Sequence, residues 1–433
     1  MRKWNKKTKI AVFIIFLILA VLFAALCWKK RRGIYNTYMK LTGQEIPYSV
    51  QEKRMKKFVA LLLTLVLTFS LAACGAEGGV KDDEAAGPGS FKIGTLDTGS
   101  ADATTAPLLN QLKLTVEALG CELVTATSTG MSAEETLVAL QNLIAAGCDA
   151  ILVPAAMISP AKVAEICDPE GVYWGTYFYK FEEGTEDYEV AMNSEYFVGT
   201  TYEDDVDSAY WATSVLGKLG CKNLCMIGLP TGGTTANMRD EGIAKACEEY
   251  GMTVLAEERD FTLTFTAAGG ATIAERFLTA YPECDGIIIA GMTQYCLPGI
   301  VQTLEQTGNI NKIKVAGIDF NEFQFDYMEQ GALHGIVGGH FAGPTYTAIQ
   351  MINILNGTPL TEEKVQLQDM FIKLGSNEEA QTYANYINEV GYLYSEEEIK
   401  NCLVLNNPDF TFEDLKAIAD SYSLQDLLDR NGK

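Results

Sequence analysis

The stretch GLPTGGTTANMRDEG, Gly228–Gly242, gathers a glycine-rich turn, three threonines and an arginine between an apolar run and an amphipathic one. Free N–H groups and hydroxyls at the start of a helix suit an anion or a hydroxylated ligand. A tight strand-to-helix connection is the plainer reading of the same glycines. The chain has only two histidines, His334 and His340. No G-x-S-x-G elbow, H-E-x-x-H pair or phosphate-loop lysine occurs. Cys221 and Cys225 have C-x-x-x-C spacing, but no second Cys/His pair completes a zinc site. These residues predict neither an enzyme nor a metal or cofactor site. The run YWGTYFYKF, Tyr173–Phe181, holds more rings than a core strand needs. Such rings stack on the apolar faces of sugars and nucleosides, although core packing would also use them.

The elements that must position these residues alternate between strand and helix from Phe91 onward. FKIGTLD is followed by a helix over Thr105–Leu119, then CELVTATS. Ser132 and Glu135 have capping-box spacing, and CDAILVPA, a short helix after Pro160, and GVYWGTYF follow. The cycle resumes with helices over Asp205–Leu219, Thr235–Tyr250, Gly270–Ala280 and Leu297–Thr307, alternating with NLCMIGLP, MTVLAEE, CDGIIIAG and IKVAGIDF. Near-continuous apolar strands indicate a parallel sheet covered on both faces. The alternation predicts a doubly wound α/β fold. So many strands predict two lobes, with ligands bound beyond the carboxyl ends of the strands.

The spacing Arg239-x-x-Gly242, one turn into a helix after a strand, resembles that of the type 1 periplasmic binding proteins, the ribose-binding and lactose-repressor-like group. There an arginine at this place forks onto ligand hydroxyls, which lysine cannot copy. The stretch VAGIDFNEFQFDYMEQGALHGIVGGHFAGPTYTAIQMINILNG is similar to a second motif of that family. The resemblance spans roughly Phe91 to Lys373. It implies two lobes joined by a three-segment hinge, with Arg239 and Asp319 as ligand contacts. Without it, Arg239 reads as a surface helix residue, Asp319 as the cap of the next turn, and His340 as a hinge residue holding the backbone. Four departures bear on the ligand. Thr293 and Gln294 replace Asn-Asp, His340 replaces the hinge Gln, and Phe178 and Tyr179 replace Asp-Arg. Asp97, Thr98 and Ser100 stand where an aromatic pair is usual. Arg239, Asp319, His340, Thr293, Gln294, Asp97, Thr98, Phe178 and Tyr179 are therefore the candidate ligand residues.

Charge is split along the chain: net +12 over residues 1–73 and −35 over the remainder. So acidic a body is repelled by nucleic acid and anionic lipid. The segment IAVFIIFLILAVLFAALCW, Ile10–Trp28, is long enough to span a bilayer. MKKFVALLLTLVLTFSLAAC, Met55–Cys74, has the tripartite plan of a signal peptide, and Leu71-Ala72-Ala73-Cys74 resembles the lipobox of bacterial lipoproteins. That resemblance implies lipidation of Cys74. We read Met55 as the true start and residues 1–54 as an over-long gene model; a hairpin of two membrane helices is the competing reading. Eleven cysteines in an exported chain would suggest disulfides. Yet Cys121, Cys148, Cys221 and Cys284 stand at helix-to-strand junctions, where free buried thiols act as small hydrophobes.

The expected organisation is a basic membrane-spanning segment over 1–54, a signal peptide over 55–73 and a flexible tether over 74–90. An N-terminal lobe follows over 91–202 and 341–366, a C-terminal lobe over 203–340 and 367–375, and a helical extension over 376–433. Hinge crossings are expected near Thr200–Asp204, His340–Gly343 and Lys364–Gln368. The function implied is a monomeric, lipid-anchored, extracytoplasmic solute-binding protein of an ABC importer. Its ligand would be small and polar, a sugar first among the candidates, and its partner a permease. A sensory receptor for a sugar or nucleoside, feeding a signalling partner, is a rival with the same fold. A different class of rival is an enzyme using the glycine-rich loop for a phosphorylated substrate.

Overall fold

Each central strand is an apolar run buried on both faces, and the chain lays these strands into two six-stranded sheets. A computed structural model describes residues 91–97, 105–128, 132–154, 157–321 and 323–432, all within the unit Ala85–Lys433. Cys74, both N-terminal apolar segments and Thr98 lie outside the described residues. Among the described residues no helix is long and apolar enough to cross a membrane.

The first sheet contains β1 (Lys92–Asp97), β2 (Glu122–Thr127), β3 (Ala150–Pro154), β4 (Tyr173–Tyr177), β5 (Phe197–Glu203) and β11 (Val365–Asp369), in the order β11-β5-β4-β3-β1-β2. Every pairing in it is parallel. Its connecting helices are α1 (Thr105–Ala118), α2 (Ala133–Ala145), α3 (Pro160–Cys167) and α4 (Glu186–Asn193). The second sheet contains β6 (Asn223–Ile227), β7 (Thr253–Glu258), β8 (Gly286–Ile289), β9 (Lys314–Ile318), β10 (Gly335–Gly338) and β12 (Ile372–Leu374), in the order β12-β10-β9-β8-β6-β7. It is parallel except at its edge, where β12 runs antiparallel to β10.

Helices α5 (Asp205–Lys218), α6 (Thr234–Tyr250), α7 (Phe261–Thr264), α8 (Ala267–Ala280), α9 (Thr293–Gln306) and α10 (Gln324–Glu329) serve the second lobe. Helix α11 (Gly343–Leu355) returns to pack on β4 and β5. Two of these helices start earlier than the sequence predicts. Thr266 accepts from Gly269 N–H as the cap of α8, and α9 begins at Thr293 rather than Leu297. Helices α12 (Asn377–Glu389), α13 (Glu396–Lys400), α14 (Phe412–Ser421) and α15 (Leu424–Arg430) form the extension.

The chain passes between the sheets three times. β5 ends at Glu203 and α5 starts at Asp205; β10 ends at Gly338 and α11 starts at Gly343; β11 ends at Asp369 and β12 starts at Ile372. The third passage therefore falls at Met370–Phe371, not at Lys364–Gln368. Residues 367–369 belong to the first lobe, since β11 continues its pairing with β5 through Asp369↔Glu203.

Candidate functional site

The Arg239-x-x-Gly242 spacing has a packing cause. A Cβ on Gly242 would lie 2.2 Å from the Val206 carbonyl oxygen. The bare glycine lets α6 close onto the first turn of α5. One turn earlier, Arg239 reaches that same turn: its Nε donates to Asp205 Oδ1 at 2.7 Å. Its Nη1 donates to the Ala290 carbonyl at 2.8 Å, just past β8. Gly291 makes room there, because a Cβ would stand 2.9 Å from Nη1. Among the described residues Nη2 has no hydrogen bond, leaving its two N–H groups for another molecule. Arg239 and Asp205 are both buried. Burial opposes the guanidinium charge, but Asp205, Asp319 and Glu203 outweigh it and raise its pKa.

Among the described residues three non-glycine residues have positive φ: Phe178 (65°), Met292 (64°) and Asp319 (82°). Each follows the carboxyl end of a strand, β4, β8 or β9. Such backbone persists when its surroundings hold it, and it concentrates at functional sites. Here the hold is visible, since Asp319 Oδ2 accepts from Met292 N–H at 2.7 Å. The Phe178 ring packs edge-on against His340, with centroids 5.0 Å apart. His340 also meets Phe371 at 4.9 Å. Phe178, from the first lobe, thus touches two of the three crossings through His340. Burial pushes the imidazole down to about 4; Asp319 acts upward and Arg239 downward.

The structure brings Arg239, Asp319, His340 and Phe178 together and treats the other candidates differently. The Thr293 hydroxyl donates to the Ile318 carbonyl, and so ties α9 to β9. Gln294 has a buried Oε1 without a partner. Tyr179, partly buried, packs beside Phe181, 5.4 Å between rings, against the first lobe's core. Asp97 ends β1, where its carbonyl accepts from Ser128 N–H.

Sequence reasoning missed several residues here. Glu203 and Asp369, adjacent in register, are buried, and Glu203 Oε1 and both Asp369 carboxylate oxygens lack partners. Burial, then Asp369 and Asp205, hold Glu203 well above the usual carboxylate range; burial, then Asp205, does the same for Asp369. Asn321, just past β9, is buried with its Nδ2 unpartnered, while its Oδ1 accepts from Phe323 N–H at 2.9 Å. Thr234 Oγ1 of the second lobe donates to Glu182 Oε1 of the first at 3.2 Å. The acidic run Glu203-Asp204-Asp205 after an apolar strand was the available signal for the first group.

Buried polar atoms without partners include Glu203 Oε1 and the Asp369 carboxylate at the last residues of β5 and β11, and Gln294 Oε1, Asn321 Nδ2 and His340 Nδ1 after the ends of β8, β9 and β10; others, such as Thr213 Oγ1 and Gln350 Nε2, lie within helices. The set mixes donors and acceptors, as a ligand with hydroxyl groups requires. Among the described residues no three His, Cys, Asp or Glu side chains are grouped to hold a metal ion.

Residues 191–359 match the family model described as the periplasmic binding protein domain. No curated protein matches the chain in sequence. Solved structures match its fold. A periplasmic sugar-binding protein from Pseudomonas fluorescens has 15% identity and a TM-score of 0.62, covering 78% of this chain and 100% of its own. An ABC transporter periplasmic solute-binding protein from Actinobacillus succinogenes, with bound D-allose, has 17% identity and a TM-score of 0.57, covering 68% and 100%. An ABC transporter solute-binding protein from Agrobacterium vitis, bound with α-D-tagatopyranose, has 18% identity and a TM-score of 0.56, covering 68% and 97%. The chain has the type 1 periplasmic binding protein fold, and its residues 191–359 are similar to the periplasmic binding protein domain.

Proposed function

We propose that this chain is the solute-binding protein of an ABC importer, taking a small polyhydroxylated ligand, most simply a sugar, between its lobes. The observation that carries this reading is the set of unpartnered buried polar atoms at and just after the strand ends: Glu203, Gln294, Asn321, His340 and Asp369. Buried polar groups are normally paired, and a polyol supplies both donors and acceptors. Arg239 and Asp319 would bond its hydroxyls, and Phe178 would cover an apolar face. His340 would take part from the hinge. Closing the lobes on the ligand shifts the population toward the form a permease recognises. The sugar-bound relatives support the ligand class by analogy of fold. Nothing in this scheme forms or breaks a covalent bond, so no enzymatic step belongs to it.

The same proposal places the protein outside the cytoplasmic membrane, held by lipid on Cys74 and working as a monomer. Intact-mass measurement of the mature chain tests the anchor: it should begin at a lipid-modified Cys74. Unmodified peptides from residues 1–54 in the mature protein would refute that part. For the ligand class, mass spectrometry of small molecules released from gently purified protein should find a polyhydroxylated compound without phosphate. Stoichiometric release of a phosphorylated compound would sink the reading.

A further inference from the structure

The helical extension, Asn377–Arg430, plays no part in the scheme above, yet it is fastened to both lobes and to the hinge. On the second lobe α12 packs against α10 and β12. There the Tyr383 ring lies 5.0 Å from that of Phe320, the residue after Asp319. On the first lobe α13 packs against α1, and α14 against β11. Gln111 of α1 grips the turn before α13. Its Nε2 donates to the Tyr394 carbonyl at 3.2 Å, and its Oε1 accepts from the N–H groups of Leu393 at 2.7 Å and Tyr394 at 3.2 Å. Asn353 of α11 repeats the device, donating to the Cys402 carbonyl and accepting from Val404 N–H, each at 2.9 Å.

Between these anchorages the extension reaches the hinge. The Tyr422 hydroxyl donates to the Gly339 carbonyl at 2.6 Å, one residue before His340. Tyr394 and Tyr346 share a hydroxyl–hydroxyl bond at 2.6 Å. Tyr383, Tyr394, Tyr422, Gln111 and Asn353 are all buried. A hinge turns through backbone rotation in a few connecting residues. Here one such residue has its carbonyl held by a buried phenol, and releasing it leaves a buried acceptor unpaired. Rotating the lobes also pulls on a segment fixed at both ends.

We propose that Asn377–Arg430 is a strap that sets the angle between the lobes, with Tyr422 as its positioning residue at the hinge. The strap restricts the ligand-free ensemble, so it governs how often the cleft opens. This does not depend on the identity of any ligand, and the test needs none. Non-cysteine spin labels are introduced at Lys162 and Lys245, exposed positions on the first and second lobes. The interlobe distance distribution is then measured in the ligand-free full chain. Tyr422→Phe removes one hydrogen bond and keeps the ring; Gln111→Ala removes three of the hydrogen bonds that anchor the extension to the first lobe and leaves the hinge untouched. Both should broaden the parent's distribution or add a second population, at unchanged helix content by circular dichroism. A distribution unchanged from the parent in either folded variant overturns the proposal. If Tyr422→Phe does not fold, Gln111→Ala decides alone.

Discussion

Arg239 and Asp205 are joined at 2.7 Å with both side chains buried, so the arginine pins the first turn of α5, just past the first crossing between the lobes. Removing one partner of such a pair leaves a charge without compensation. Arg239→Ala should therefore cost about 3–5 kcal/mol of stability in the absence of ligand. Chemical denaturation of the ligand-free protein measures this. A loss below about 0.5 kcal/mol, the size expected at an ordinary surface site, would show that the pair is not buried as described.

Acid should weaken the fold through its histidines. Burial lowers both His334 and His340 to about 4, from an ordinary value near 6.5. Between these values the unfolded chain binds more protons than the folded one, so stability falls as pH falls. From neutral pH down to about 4, the melting temperature of His340→Gln should rise relative to that of the parent at the same pH. An unaltered slope in that variant would contradict the burial of His340.

Glu203 and Asp369 act in the opposite sense. Their raised pKa values mean that stability present in acid is lost as pH rises above the ordinary carboxyl range. Glu203→Gln and Asp369→Asn should each raise the melting temperature at neutral pH. The gain should shrink as pH falls through the ordinary carboxyl range, about 4, and vanish below it, where the parent's carboxyls are protonated in both states. Destabilisation at neutral pH would mean that these charges have partners the geometry does not reveal.

The nine described cysteines are free. Burial raises Cys121 and Cys148 to about 11, and Cys167, Cys221, Cys296 and Cys402 to about 12. Cys284 is the exception, lowered by its bond with Cys225. The thiolate is the reactive species, so the native protein should react slowly with thiol reagents. After unfolding without reductant, all nine should titrate. A count well below nine would establish disulfides.

The strand–helix order was legible because its signals are local. Apolar runs such as Ala150–Pro154 are buried throughout, and Gly120, Gly147, Gly220, Gly251 and Gly308 take the positive φ of helix caps. Arg239 was legible through its spacing to Gly242. Its partner Asp205, 34 positions away, was not, because only the crossing of α5 and α6 brings the two together. Asp369 was hidden for a similar reason: its burial depends on β11 pairing with β5, a contact distant in sequence. Phe178 and Tyr179 part just beyond β4, where the positive φ of Phe178 breaks the strand: Phe178 packs against His340, whereas Tyr179 lies partly buried beside Phe181, a divergence that their adjacency in sequence does not reveal. The amphipathic pattern of Phe412, Leu415, Ile418 and Ala419 marked α14 correctly, with Leu415 and Ala419 buried. No local pattern could reveal that Tyr422 reaches Gly339.

The most direct test of ligand binding is a thermal melt of the protein against pentoses, hexoses and inositols, with sulfate and phosphate as controls. A true ligand at about 100 times its Kd should add about 2.7 kcal/mol of stability, and the midpoint should rise with concentration. The account predicts such a rise for at least one polyol and none for either anion. Melting temperatures unmoved by every polyol, or raised by phosphate alone, would contradict it.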